Sequence, residues 1–246
     1  MTTISHQYRD LTITPISDQE DIVVSCDVSA GFGNREYDIV KCSPEISVSL
    51  TLRTAMLELI SYGAEPMTVV DTLSVEYNPT GKRIIAQMKK DMVEMGFPDI
   101  AINGSTEDNL DIQMTSVSVT VVGRARHKSP STFKNLSVFQ LGNPYMGNEV
   151  LANLHSIFPV RDAIDLRKNN SVVDMIPVGS KGIEYELGVL TETHDSKLEL
   201  DSHIDHDEIN KTAGPSTVLL VAVDESLEKS FSSFNPDLKH VAWLRK

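Results

Sequence analysis

Cysteine, basic charge and long apolar runs are what this 246-residue chain has least of. The only two cysteines, Cys26 and Cys42, have no metal-type spacing and sit beside apolar residues, so they read as buried free thiols rather than a disulfide. Lys and Arg number 22 against 35 Asp and Glu, a net charge of −13 that argues against a nucleic-acid partner. The same charge would repel an anionic nucleotide unless metal ions intervene. No apolar run approaches the roughly 18–20 residues that span a bilayer, which leaves no membrane partner. The start, Met1-Thr-Thr-Ile-Ser-His6, lacks the basic and apolar regions of a signal peptide, so a cytoplasmic location is expected. Two phosphate-binding motifs are also missing. Thr80-Gly-Lys82 lacks the spaced glycines of a P-loop, and Gly31-Phe-Gly33 lacks the third glycine and following helix of a dinucleotide fingerprint. No Ser-His-Asp or Cys-His arrangement stands out.

A chain that is 40% apolar and 23% charged can bury an ordinary core. Residues 20–26 read as a β-branched strand, and a helix opens at Ser43-Pro44-Glu45, with Val48, Leu52, Met56, Leu59 and Ile60 on its core face and Gly63 as its stop. Residues 67–76 are strand-like. Asn78-Pro79 reads as the cap of a second helix that turns Ile84, Ile85, Met88, Met92 and Met95 inward and ends at Gly96. A short extended piece over 100–103 leads into a polar turn, and 114–122 alternates as a half-buried antiparallel strand. Residues 123–135, basic and Pro-containing, read as a linker or long loop. Beyond it come strands at 137–141, 172–178, 216–223 and a last edge strand at 241–244, with helices at about 148–157 and after Gly179-Ser-Lys-Gly182. The pattern predicts an α+β (α/β two-layer) protein with domains over 1–125 and 136–246.

Carboxylates recur near the ends of these elements: Asp10, Asp27, Glu58 and, in Asn103-Gly-Ser-Thr-Glu-Asp-Asn109, Glu107 and Asp108. Several such carboxylates suit Mg²⁺, which takes one or two per ion and fills its shell with water and phosphate oxygens. Each residue also has a plainer reading. Asp27 could cap a turn, Glu58 could be a solvated helix residue and Asp10 a surface charge. Lys82 reads as a phosphate contact or a solvated first-turn residue, and Ser180 and Lys181 as a phosphate site or a cap. His203-Ile-Asp-His206-Asp-Glu is read as a solvated acidic loop, because no third ligand stands at zinc-like spacing.

The layout resembles the superfamily of aminoimidazole ribonucleotide synthetase, thiamine-monophosphate kinase and selenophosphate synthetase (the PurM-like proteins). Cys26-Asp27-Val28 resembles the family's strand-end Asp motif. Met56-Leu-Glu-Leu-Ile-Ser-Tyr-Gly-Ala-Glu-Pro66 is similar to Asn-Leu-Ser-Asp-Ile-Ala-Ala-Met-Gly-Ala-x-Pro, which puts Glu58 on the metal-binding Asp. Asn103-Gly-Ser-Thr is similar to Gly-Gly-Asp-Thr, with Ser105 on the Asp, and Gly179-Ser-Lys-Gly-Ile183 to Ser-Asp-Gly-Leu. The chain departs from the pattern at Arg9, Ser105 and Lys181, each standing where the family has Asp. With Arg9-Asp-Leu-Thr-Ile13, Pro79-Thr-Gly-Lys-Arg-Ile84, Gly142-Asn-Pro-Tyr-Met-Gly-Asn-Glu-Val150 and Lys211-Thr-Ala-Gly-Pro-Ser-Thr217, it resembles the α-ribazole kinases over about residues 8–245.

That resemblance implies an ATP- and Mg²⁺-dependent kinase of a nucleoside-like small molecule. It also implies a homodimer whose first-half sheets close into a β-barrel. It assigns Asp10, Asp27, Glu58 and Glu107 to the metal, and Ser105, Thr106, Lys82, Ser180 and Lys181 to the nucleotide. The alternatives are a kinase of another hydroxymethyl heterocycle or nucleoside, and a nucleotide-binding homodimer that has lost catalysis.

Overall fold

A computed structural model describes residues 4–127 and 135–246. The chain divides into two compact units, Met1–His127 and Lys128–Lys246.

The first unit is one mixed sheet carrying two layers of helix on a single face. In chain order it runs β1 (His6–Tyr8), β2 (Leu11–Pro15), β3 (Glu20–Ala30), the short parallel pair β4 (Phe32–Gly33) and β5 (Val40–Lys41), and α1 (Pro44–Tyr62). Then follow β6 (Glu65–Leu73), α2 (Lys82–Met95), β7 (Ala101–Thr106) and β8 (Ser116–Arg126). The six-stranded order is β1-β2-β3-β8-β6-β7, with β6 and β7 parallel and every other pairing antiparallel.

Strand alternation sorts side chains between two unlike faces. Val23, Ser25, Val69, Leu73, Val117, Val119 and Val121 are buried on the face that α1 covers. On the other face Val28 is 64%, Met67 49% and Val70 37% exposed, so that face is open. Cys26 belongs to it and is exposed, contrary to the expected buried thiol; Cys42 is buried. The sequence showed a Val-rich segment but not the parity that turns Cys26 outward.

Helix α1 is buried on nearly every side because the sheet lies under it and α2 over it. Gly63, at φ +91°, ends it in the left-handed conformation that glycine adopts without strain. The expected cap of α2 moves: Asn78 is non-helical, and the Glu76 side chain instead accepts the Thr80 N–H at the turn over Tyr77–Gly81 that leads into Lys82.

Three further expectations change in this unit. β3 continues to Ala30, so Asp27 lies within the strand instead of at its end. The polar turn expected after residue 103 is strand through Thr106, because β7 pairs in parallel with β6 as far as Thr106 opposite Leu73. β8 extends through Gly123–Arg126, which had read as linker; residues 128–134 of that linker lie outside the described residues.

In the second unit five antiparallel strands lie in the order β10-β12-β9-β13-β11. They are β9 (Leu136–Gly142), β10 (Val172–Val178), β11 (Lys197–Leu200), β12 (Val218–Asp224) and β13 (Lys239–Arg245). The helices are α3 (Asn148–Ala152), α4 (Val160–Lys168), α5 (Gly182–Thr193), α6 (His206–Ile209) and α7 (Glu228–Phe231). Ile183, Leu187 and Leu190 of α5 and Ile209 of α6 join Val138, Leu220 and Ala242 in one core, while Phe231 of α7 packs on Phe139 with ring centroids 5.4 Å apart. The strand around 241–244 is not the edge: β13 lies between β9 and β11, so β11 is the edge strand, too short and polar to be read beforehand. The helix expected over 148–157 is five residues of α3 followed by a tight turn over Leu154–Ser156. Helix α4 was not anticipated. The architecture is α+β, as the alternation of elements predicted.

Gly123 tests the packing beneath α1. A Cβ there would lie 2.6 Å from the Glu65 carbonyl oxygen and 2.9 Å from Leu59 Cδ2. Gly123→Ala should therefore destabilise the first unit by about 2 kcal/mol, because backbone cannot step aside. Urea denaturation followed by circular dichroism measures it, and an unchanged midpoint would contradict this packing.

Candidate functional site

One transverse row of the first sheet gathers chemistry. Asp27 of β3 pairs with Val119 of β8, Val119 with Asp71 of β6, and Asp71 with Gly104 of β7. Residues directly opposite in a sheet share a face, and Val119 is fully buried, so both carboxylates point to the helix-covered side. Burial lifts the Asp27 carboxyl to about 6, against a smaller lowering by the Val28 N–H. Asp71 is 2% exposed, and desolvation raises it likewise to about 6. Its Oδ1 is buried without a hydrogen-bond partner. Gly104 makes room for this carboxylate: a Cβ there would fall 2.3 Å from Asp71 Cγ and Oδ1. A buried carboxylate with an unsatisfied oxygen is costly to stability and so marks a place where something other than packing is at work.

A second group lies where β6 and β7 end and α2 begins. Thr106 closes β7, with its Oγ1 donating to Asp108 Oδ2 at 2.6 Å. The Glu107 N–H bonds the Leu73 and Val75 carbonyls, and its carboxylate accepts the Asn109 N–H at 2.8 Å. Asp108 Oδ1 accepts the Tyr77 N–H at 2.9 Å, joining this segment to the turn before α2. The exposed Lys82 holds its Nζ 5.5 Å from the centre of the Tyr77 ring. Gly81 packs on the Thr106 methyl, which brings Lys82 beside Thr106 and Glu107. Ser105 is exposed on β7 opposite Thr72, one position off the Asp27–Asp71 row and hence on the open face.

Asp10 and Glu58 lie elsewhere. Ser25 Oγ donates to the Ala55 carbonyl at 2.8 Å, and the Asp21 charge adds to the burial that raises the Tyr62 phenol, so α1 runs antiparallel to β3. Asp27 and Glu58 then lie on opposite sides of the Ser25–Ala55 bond, roughly 11 Å apart along the axis by strand and helix rise. Asp10 is exposed in the β1–β2 turn beside Tyr8, whose ring meets Tyr62 at 5.3 Å, so Asp10 and the half-buried Glu58 share the end away from Asp27. Among the described residues no three His, Cys, Asp or Glu side chains could together hold a metal ion. Ser180 and Lys181 are exposed in the second unit, where Lys181 Nζ donates to the Tyr185 hydroxyl at 3.0 Å. In the His203–Glu208 loop Asp205 caps α6 and Asp201 pairs with His240 at 2.7 Å, a structural use of these groups.

Asp71 escaped the sequence reading. Its signal was present, a lone carboxylate inside the Val- and Thr-rich run Met67–Leu73, but a single strand does not show what it faces.

No protein-family model matches the chain, and no curated protein matches it either. Solved structures do. Thiamine monophosphate kinase from Aquifex aeolicus superposes with a TM-score of 0.65 at 14% identity over 98% of this chain and 90% of its own. The chain has the aminoimidazole ribonucleotide synthetase-like fold. Thermotoga maritima PurL, in a complex with ATP, gives 0.64 at 12% identity over 95% of this chain, and E. coli HypE, a hydrogenase maturation protein, 0.64 at 11% over 91%. This chain covers 42% of that PurL chain and 79% of HypE. At such identities the likeness is one of fold. Among the described residues, no helix is long and apolar enough to cross a membrane.

The raised Asp71 carboxyl fixes a stability profile. Its folded pKa of about 6 exceeds the unfolded value near 3.9, so the folded state binds the extra proton between them and loses stability as pH rises through that window. Asp71→Asn should be near neutral at pH 4 and stabilising by about 2 kcal/mol at pH 7 in the absence of metal. Denaturation curves at both pH values read this difference, and equal effects would contradict the buried ionisation.

Proposed function

We propose that this protein is an ATP-dependent kinase of a nucleoside-like small molecule, with α-ribazole as acceptor and α-ribazole 5′-phosphate as product. The observation that carries the proposal is the unsatisfied Asp71 Oδ1, buried in the same row as Asp27. The fold, shared with a thiamine monophosphate kinase solved with AMPPCP and TMP, supports it. The motif likeness to α-ribazole kinases supplies the acceptor.

The residues fit Mg²⁺. Two carboxylates that burial raises to about 6 would be held ionised beside a divalent cation, and the orphaned oxygen would gain a ligand. Asp27 and Asp71 would hold the ion, with phosphate oxygens and water completing the shell, and the motif likeness adds Glu107 from beyond the end of β7. Bound there, the metal would neutralise charge on the phosphates during transfer. Lys82, on the first turn of the 14-residue α2, sets a cation at the positive end of the helix dipole, where a phosphate is favoured. Thr106 and the neighbouring backbone hold the β7 end that faces it. The motif likeness also assigns Ser105, Ser180 and Lys181 to a nucleotide.

The motif likeness also assigns Asp10 and Glu58 to the metal, at the other end of the helix-covered layer. A homodimer built on the open face of the six-stranded sheet, where Val28, Met67 and Val70 are exposed, belongs to the same reading. A barrel closed by two such sheets would also bury this apolar surface.

Incubation with ATP, Mg²⁺ and α-ribazole should yield the nucleoside monophosphate and ADP. ADP formation only with another nucleoside would change the acceptor, and thermal stabilisation by nucleotide without any turnover would replace kinase by binding protein. Asp27→Asn should lower kcat/KM by about a hundredfold or more while the protein stays folded. Retained turnover in a folded variant would take Asp27 out of the site. Mg²⁺-dependent nucleotide binding should weaken as pH falls through about 6, where Asp27 and Asp71 take up protons. Binding independent of pH between 5 and 7 would contradict metal ligation by this pair.

A further inference from the structure

Beside the nucleotide end of the first unit, one guanidinium joins the loop around Ile112 to the turn at Glu76. Arg35 lies in the loop between β4 and β5. Its Nη1 donates to the Ile112 carbonyl and its Nη2 to Glu76 Oε2. Glu76 uses its other oxygen to cap the turn into α2, accepting the Thr80 N–H at 3.3 Å and the Thr80 hydroxyl. The Arg35 backbone is itself pinned. Its N–H donates to Asp38 Oδ2 at 2.7 Å, and Asp38, 4% exposed, also accepts the Thr115 hydroxyl at 2.7 Å and the Thr115 N–H at 2.8 Å. Gly33 is required for this closeness, since a Cβ would meet Thr115 Oγ1 at 2.2 Å and Asp38 Oδ2 at 2.5 Å.

We propose that Arg35 is a positioning residue, a clasp that sets the turn bearing Lys82 against the segment bearing Thr106 and Glu107. This rests on the reading of that end as the nucleotide site. The chain of contacts runs in one direction, from the buried Asp38–Thr115 anchor through the Arg35 fork to Glu76, and from Glu76 to the first turn of α2. Below the clasp the same two segments are joined by the Tyr77–Asp108 bond and by the β6–β7 ladder, so removing Arg35 loosens their tips and leaves their bases paired. The planar fork matters as much as the charge. A lysine presents one ammonium and cannot span the Ile112 carbonyl and the Glu76 carboxylate with the same rigidity. Lys82 would then approach phosphate from a wider range of positions, which weakens binding more than it slows the bound reaction.

The test uses the full chain as wild type, Arg35→Ala, Arg35→Lys, Glu76→Gln and the double variant Arg35→Ala/Glu76→Gln. Without nucleotide, amide hydrogen exchange over residues 77–82 should quicken about tenfold in both Arg35 variants while β8 amides stay protected. With ATP and Mg²⁺, KM for ATP should rise about tenfold with a smaller change in kcat, and Arg35→Ala should add little once Glu76 is Gln. A loss of folded protein alone would lower kcat and leave KM unchanged, which overturns the proposal. So would unchanged exchange over 77–82, full rescue by Lys, or multiplying effects of the two single variants. If Arg35→Ala does not fold, Arg35→Lys and Glu76→Gln give the same readings. A wild type that binds no ATP removes the nucleotide reading, and the exchange arm still decides the clasp.

Discussion

The first unit depends on β8, which pairs along its length with β3 on one side and β6 on the other. That double antiparallel pairing decides which residues of three distant segments stand in one row. It places Asp27 and Asp71 on either side of Val119 and turns both into the layer under α1. Two carboxylates are thereby withdrawn from water and lifted to about 6 by desolvation. Close packing elsewhere in the row, at Gly104 above all, is what lets the second carboxylate fit.

The two faces of this sheet then take different work. One face buries α1 and supplies most of the hydrophobic stabilisation of the unit, with Leu52, Ala55, Met56 and Leu59 withdrawn completely from water. The other leaves Cys26, Val28, Met67 and Val70 in contact with solvent. An open apolar face on a well-packed sheet is the feature of the fold that asks for a covering surface, and it is the physical ground for a dimer in the proposed mechanism.

Much of the fold was legible in residue order. The Ser43-Pro44 start, the apolar face through Ile60 and the stop at Gly63 identified α1, and Met88 and Met92 marked the inner face of α2. What failed were features that only a neighbouring strand creates. Residues 104–106 carry turn chemistry and are strand because β6 supplies a parallel partner, and Gly123–Arg126 are strand because Glu20–Val23 lie alongside. Cys26 was misjudged for a related reason: it sits in a strand with Val23, Val24 and Val28, but its side chain leaves from the other face. Among the candidate residues, Lys82, Thr106 and Glu107 stand in local motifs and lie near one another where β7 ends and α2 begins, whereas Asp71 has no motif around it in the chain.

Periodicity and caps are local quantities, and for this protein they determined the long helices and most strands. Register, face and depth are properties of chain segments brought together from far apart. Only tertiary structure could decide that Asp71 is buried beside Gly104, that Ser105 points away from it, and that Arg35 reaches Glu76 across 41 residues. The reason is that a β-strand does not carry its hydrogen-bonding partner within itself.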